Sequence, residues 1–221
     1  NPAPARRELR SLYAPKSTRV LRVLLANARQ SWRYQRLARE ANVSLGQVAN
    51  VLRILRDREW LTDEDSGVKL AAPAELLAEW TASYNFKKNV ATDYYSLESP
   101  VEIEKTLGSI LNDRGIRYAL TGFSGAARVS PAVRYQRVMA FVEAMPEDAL
   151  ARMKLKPVDS GANVTILSPY DEGVFYGAGA VDDLQVVHPI QLYLDLRNFK
   201  GRGEEAAETI LEEVIEPSWR I

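Results

Sequence analysis

The 221 residues include no cysteine and only one histidine, His188. The first absence excludes disulfides, thiolate zinc sites and cysteine nucleophiles. The second leaves too little for a histidine-rich metal cluster and gives a serine nucleophile no obvious base, so no metal or cofactor is implied. No apolar run approaches the ~20 residues needed to cross a bilayer, and no charged-then-apolar signal segment opens the chain. A cytoplasmic protein with no membrane partner is expected. Glycine is sparse at twelve residues, while 46% of residues are apolar and 26% charged, which suits a folded chain long enough for two cores. The chain opens at Asn1 without methionine, so residues are expected to precede it. "NPAPARRELR" is basic and broken by prolines, and residues 1–15 are expected to form a flexible basic arm without a fold.

The charge that is present is unevenly placed. Residues 1–60 hold thirteen Lys+Arg against four Asp+Glu, a net +9, whereas residues 61–221 hold sixteen against twenty-five, a net −9. A short basic module on a larger acidic body is what a polyanion-binding head produces, with solvated charge spread by chance as the plain alternative. Periodicity favours the head. In "STRVLRVLLANA", Leu21, Leu24 and Leu25 recur at helical spacing behind Ser17, a candidate cap, and "SWRYQRLAREA" places Tyr34, Leu37, Ala38 and Ala41 at i, i+3, i+4 and i+7. Asn42 and Val43 make a turn. Ser44 then caps a third helix, with Gln47 reaching back as in a capping box.

The third helix carries its apolar stripe at Val48, Val51, Leu52 and Leu55, which leaves Gly46, Gln47, Asn50, Arg53 and Asp57 on the opposite side. Gln47, Asn50 and Arg53 are side chains that pair with base edges, while Arg33, Arg36, Arg39 and Arg56 on neighbouring turns are suited to phosphates. "WLTDEDSGVKLA" reads as strand, turn with Gly67, strand. From about Ser17 to Leu70 the pattern resembles the winged helix-turn-helix domains of bacterial transcription regulators, which implies double-stranded DNA as partner. The wing holds Asp63, Glu64 and Asp65 against Lys69 alone, so it is not expected to enter a groove. A winged helix that binds protein is the alternative.

The division expected is an arm at 1–15, a winged helix-turn-helix at 16–72, a linker helix and connection at 73–90, and a larger domain at 91–221. "PAELLAEWTASY" supplies the linker helix, and "NFKKNVATDYYSLESP" holds a small aromatic strand. The body then alternates: helix to Gly115, strand "IRYALTG", short helix "FSGAARV", strand "RYQRVMAFVE", helix "PEDALARMKL", strands "NVTILSP" and "GVFYGAGAV", and closing helices "HPIQLYLDLRNF" and "EEAAETILEEVI". The fold class is α+β, in the broad sense of mixed α/β, with a mixed sheet covered by helices.

"LTGFSGAARV" resembles the Gly-Ser turn on which nucleotidyltransferases hold nucleotide phosphates, but such enzymes also need paired carboxylates for metal. The following strand offers only Glu143. The acids of "YDEG" and "VDD" read as loop acids, His188 before Pro189 as a cap or packing residue, and "GRGEEAAE" as a turn between helices, because Glu204 and Glu205 would repel an anion. An enzyme is not expected.

The order of head, "YY" strand, "YALTGFSGAA", "RYQRVMAFVE" and "VVHPIQLYLDLRNFKGRGEEAAE" resembles the AbiEi-type antitoxins of bacterial type IV toxin-antitoxin systems, over nearly the whole chain after residue 16. The resemblance implies a transcriptional autorepressor that binds promoter repeats, and a body that counteracts a nucleotidyltransferase-type toxin without a stable complex. It carries DNA contact onto the helix from Ser44 to Arg56. Arg128, Arg134, Tyr135 and Arg137 form the surface offered for the antitoxin role, with packing as the alternative. Two copies on paired repeats are expected, through a dimer or cooperative loading. A winged-helix regulator whose body senses a small ligand is the second reading, and a nucleotidyltransferase with displaced acids the third.

Overall fold

The computed structural model describes residues 11–130 and 134–220. These divide into two compact units: the residues up to Tyr84 together with those from Ile215 onward, and Asn85–Val214.

The first unit holds α1 (Pro15–Ala26), α2 (Tyr34–Glu40), α3 (Leu45–Asp57), the antiparallel pair β1 (Leu61–Glu64) and β2 (Gly67–Leu70), and α4 (Pro73–Ser83). Pro15 at the first helical position, with φ preset for a helix, starts α1 earlier than Ser17 would have. Ser17 therefore lies inside the helix, fully buried, and Ala14 is the cap residue. Leu12 is fully buried and Tyr13 nearly so, so residues 11–14 belong to the folded head instead of the flexible arm expected of them. The remainder of that arm, residues 1–10, lies outside the described residues. In the hairpin Gly67 has φ +139°, and a Cβ there would sit 2.4 Å from the Trp32 carbonyl oxygen. That proximity exists because Trp32 pairs with Val68 through two backbone hydrogen bonds of 2.7 and 2.9 Å, adding a third segment beside the hairpin.

Two features differ from the linear division expected. Helix α4, read as a linker, buries Leu76, Leu77 and Trp80 within the first unit. The Arg22 guanidinium, itself 3% exposed, lies 4.9 Å from the Trp80 ring centroid, and the Tyr13 hydroxyl donates to Glu79 Oε1 at 2.6 Å. The chain also returns to this unit at its end. After α9 (Arg202–Ile210) the last helix widens into a π turn at Leu211–Ile215 and resumes as α10 (Glu216–Arg220), where Trp219 Nε1 donates to the Leu25 carbonyl at 3.0 Å. Pro217 accounts for the change in pitch, since it has no N–H to give and crowds the carbonyl four residues back.

The second unit is a seven-stranded mixed sheet in the order β6-β3-β7-β5-β4-β9-β8. Its elements are β3 (Val90–Tyr95), α5 (Pro100–Asp113), β4 (Tyr118–Leu120), α6 (Gly122–Val129), β5 (Val138–Val142), α7 (Glu147–Arg152), β6 (Lys156–Pro157), β7 (Val164–Ser168), β8 (Gly179–Val181), β9 (Leu184–Val186), α8 (Pro189–Leu196) and α9. Among the described strands β5/β7 and β4/β9 run parallel and the other pairs antiparallel. All five residues of β5, "VMAFV", are buried, as a central strand covered on both faces must be. Val138, Ala140 and Val142 meet Ile103, Leu107, Ile110 and Leu111 of α5 on one face. On the other, beneath Met139 and Phe141, lie α6 and the helices packed with it, α8 and α9.

"GVFYGAGAV" is not the single strand expected: a 3-10 turn at Glu172–Phe175 precedes β8, and β8 joins β9 through Asp182 and Asp183, both left-handed at φ 49° and 63°. Those are the angles of a type I′ hairpin turn, which explains why two acids sit there without a metal-binding geometry. Gly201, at φ +70°, and Gly203, where a Cβ would meet Leu196 O at 2.6 Å, make the expected turn between α8 and α9.

His188 caps α8, its Nδ1 accepting the Ile190 N–H at 3.2 Å, which only the neutral imidazole can do. Burial pushes its pKa from 6.5 down to about 4. Below pH 6.5 the unfolded chain takes up a proton that the folded chain refuses, so stability present above that pH drains away toward pH 4. Urea unfolding of the wild type is expected to lose up to ~3 kcal/mol across this window relative to His188→Asn, which keeps a capping acceptor without titrating. Parallel pH profiles would show that the ring is not responsible.

Candidate nucleic-acid interface

Helix α3 enters after a left-handed Asn42 (φ 50°), and the Ser44 hydroxyl accepts the Gln47 N–H at 3.2 Å as its cap. The capping box expected here is half made. Gln47 does not reach back; its side-chain Nε2 donates to the Ser17 hydroxyl of α1 at 2.7 Å. Asn50 is held in the same way, its Nδ2 donating to the Ser11 hydroxyl at 3.2 Å. Both amides thus lie half-buried on the flank of α3 that faces the N-terminal segment, not on the outward side that helical spacing assigned them. The exposed face is instead Ser44, Leu45, Gly46, Ala49, Arg53, Arg56 and Asp57.

The arginines fall into two groups. Arg33, Arg36 and Arg39, on and just before α2, are exposed and form no ion pair among the described residues; Arg36 stacks on Trp32 with its guanidinium 5.0 Å from the ring centroid. Arg53 and Arg56 are engaged. Arg53 meets Asp57 at 3.0 Å, one turn on along α3, and Arg56 meets Asp63 of β1 at 2.8 Å while also donating to the Tyr34 hydroxyl. The hydrogen bond from Arg56 holds the Asp63 carboxyl below the usual range. Glu64 takes the Ser31 hydroxyl and lies 3.9 Å from Lys69. Asp63 and Glu64 of the hairpin are therefore tied to cations of the same unit, and Arg56 is drawn toward the hairpin.

In the second unit, the surface offered by Arg128, Arg134, Tyr135 and Arg137 is mostly spent on internal bonds. Arg128 (15% exposed side chain) pairs with the fully buried Glu104 at 2.6 Å and with Asp182 at 3.1 Å, and the Tyr135 hydroxyl donates to the same Glu104 oxygen at 2.8 Å. Burial holds Glu104 above the usual carboxylate range and, with Glu104 beside it, pushes Tyr135 up to about 12. Glu104 Oε1 has no hydrogen-bond partner among the described residues. Arg137 bonds Asp93 and Thr165, and the Arg134 carbonyl accepts from Arg202 at 2.7 Å while its own side chain is exposed.

The Gly-Ser turn after β4 serves packing. Gly122 (φ +56°) lets α6 lie against Met139, and a Cβ on Gly125 would come within 2.9 Å of the Leu120 carbonyl. Ser124 is fully buried, its hydroxyl accepting the Met139 N–H at 3.0 Å and facing the Met139 and Thr121 carbonyls. Thr121 donates at 2.6 Å to the buried Asp195, whose other oxygen accepts from Gln191 at 2.9 Å. Glu143 and Glu172 both pair with Arg117, and Asp171 caps the 3-10 turn. Among the described residues no group of three or more His, Cys, Asp or Glu side chains is placed to hold a metal ion, and no helix is long and apolar enough to cross a membrane.

A family model described as transcriptional regulator, AbiEi antitoxin, type IV TA system matches residues 69–216. The chain belongs to this antitoxin family. No curated protein and no solved structure matches it. The match bears out the AbiEi resemblance read from the sequence and makes the chain a member of a family of regulatory antitoxins. It begins within β2 and takes in the whole second unit, so helices α1 to α3 precede the family's matched span.

Two measurements follow from this geometry. Asp63→Asn, which releases Arg56, is expected to raise affinity for duplex DNA of any sequence and to steepen the dependence of log affinity on log salt by about one phosphate contact. An unchanged slope would show that Arg56 stays off DNA. Glu104→Ala leaves Arg128 and Tyr135 facing a void and is expected to cost roughly 3 kcal/mol of unfolding free energy. A loss too small to measure would mean that the cluster is screened by solvent.

Proposed function

We propose that this antitoxin-family chain is a DNA-binding autorepressor acting in the cytoplasm, and that its body counteracts a nucleotidyltransferase-type toxin without catalysis and without a stable complex. The observation that carries the DNA reading is the outward face of α3 together with Arg33, Arg36 and Arg39, on and just before the α2 packed against it, which are exposed and form no ion pair among the described residues, in a segment of net charge +9. The head is read as a winged helix-turn-helix, with α2 and α3 as its two helices and β1–β2 as the wing. Arg33, Arg36 and Arg39 take phosphates, and Arg53, 60% exposed and bound to Asp57 and Asn50 of its own helix, is the side chain on that face able to donate to guanine. Gln47 and Asn50 act from the flank, positioned by Ser17 and Ser11. Arg56 stays with the wing, whose acids keep it out of the groove. One head covers a short site, so two copies occupy paired promoter repeats as a dimer or by cooperative loading. The absence of catalysis is supported by Ser124, whose hydroxyl is occupied inside the core, and by carboxylates taken up in caps and ion pairs.

Fluorescence anisotropy on the chain's own upstream DNA, with a shuffled duplex as control and several salt concentrations, tests the reading. Arg36→Ala and Arg39→Ala are expected to weaken both duplexes alike and to flatten the salt slope by about one each. Arg53→Ala is expected to lose ~1 to 3 kcal/mol on the specific duplex alone. Equal, weak binding of the wild type to both duplexes would sink the autorepressor.

A further inference from the structure

Resting on the DNA reading above, we infer that the outward face of α3 recognises thymine methyl groups in the major groove, through Leu45 and Ala49, with Gly46 between them clearing the helix backbone for close approach. Three observations meet here. Leu45 is 48% exposed, one of the few large apolar side chains left in solvent, and it stands at the first position of the helix. Ala49, exposed and four residues on, lies on the same face about 6 Å further along the axis. Gly46 has no cause among the described residues. Its φ is not left-handed, and a Cβ built on it meets nothing within 4 Å, so neither strain nor crowding among those residues calls for glycine. Glycine weakens a helix relative to alanine, and a position that tolerates any side chain in the free protein is one where the missing side chain matters to something outside it.

The chemistry of that outside partner follows from the surroundings. The face is apolar at Leu45, Gly46 and Ala49, with the Arg53–Asp57 pair and Arg56 further along α3, and the helix packed against it, α2, carries or follows the exposed Arg33, Arg36 and Arg39. Apolar centre and cationic border complement a groove walled by phosphates whose floor carries one apolar substituent, the thymine C5-methyl. The ~6 Å between Leu45 and Ala49 corresponds to about two base-pair steps of ~3.4 Å, so methyl groups two steps apart are the pair this face fits.

The test uses the full chain and its own upstream duplex, prepared with thymine and again with every thymine replaced by deoxyuridine, which lacks only the methyl. The thymine duplex is expected to bind about tenfold more tightly than the deoxyuridine duplex, with the shuffled control unmoved. Leu45→Ala should weaken binding to the thymine duplex while matching the wild type on deoxyuridine. Gly46→Ala should weaken binding to the thymine duplex while its Tm stays level or rises, a combination that a merely structural glycine cannot give. Equal affinity for thymine and deoxyuridine duplexes overturns the inference and leaves the autorepressor standing. Wild-type binding that does not distinguish the native duplex from the shuffled one overturns the autorepressor, and the inference with it. If both variants keep full DNA affinity and instead alter sedimentation of the protein, the face joins copies of the chain and the inference falls.

Discussion

Two serine hydroxyls decide what the head can offer. Ser11 and Ser17 take the side-chain amides of Asn50 and Gln47. Burial of Val48, Val51, Leu52, Ile54 and Leu55 sets the rotation of α3 about its own axis. The two bonds then occupy the amides on its flank, so that Leu45, Gly46, Ala49 and Arg53 are the groups left in solvent. The arginines are sorted by the same logic. Those on α2 form no ion pair among the described residues, while Arg56 lies within reach of Asp63 and is drawn to the hairpin.

The body rests on a comparable economy of polar groups. Burying Asp195 and Ser124 between sheet and helices would be costly if either lacked partners, yet Thr121, Gln191 and the Met139 backbone supply them. The small residues of "LTGFSGAA" then act as spacing: Gly122 and Gly125 let α6 approach β4 and β5 closely enough for those bonds to form. Glu104 is less fully provided for, with one oxygen shared by Arg128 and Tyr135 and the other without a partner among the described residues.

Much of this was legible in the sequence. The helices around Leu24, Leu37 and Leu52, the hairpin at Gly67, the cap at Ser44, the mixed sheet and the loop character of Asp182 and Asp183 all follow from local periodicity and turn chemistry, and the structure has them. What was not legible depends on partners far away in the chain. Gln47 looked like a capping-box residue because Glu or Gln at that spacing usually is one, and nothing local announces the Ser17 hydroxyl thirty residues earlier. Arg128 and Tyr135 read as a surface because charged and phenolic groups often reach solvent, and the buried Glu104 that binds both lies on another helix. Gly46 was the signal within reach: a glycine in a helix with no steric reason for it is visible in the sequence, but its surroundings are needed to show that the reason is missing.

The bond from Trp219 to the Leu25 carbonyl ties together residues separated by nearly the whole chain. During synthesis α1 to α4 leave the ribosome before the sheet does, yet the segment that completes their unit follows the described strands of that sheet. Contacts of such long sequence separation form late in folding. A chain cut short inside the second unit would therefore carry α1 to α4 without Trp219, so that an intact first unit is itself a report that the second has been translated through.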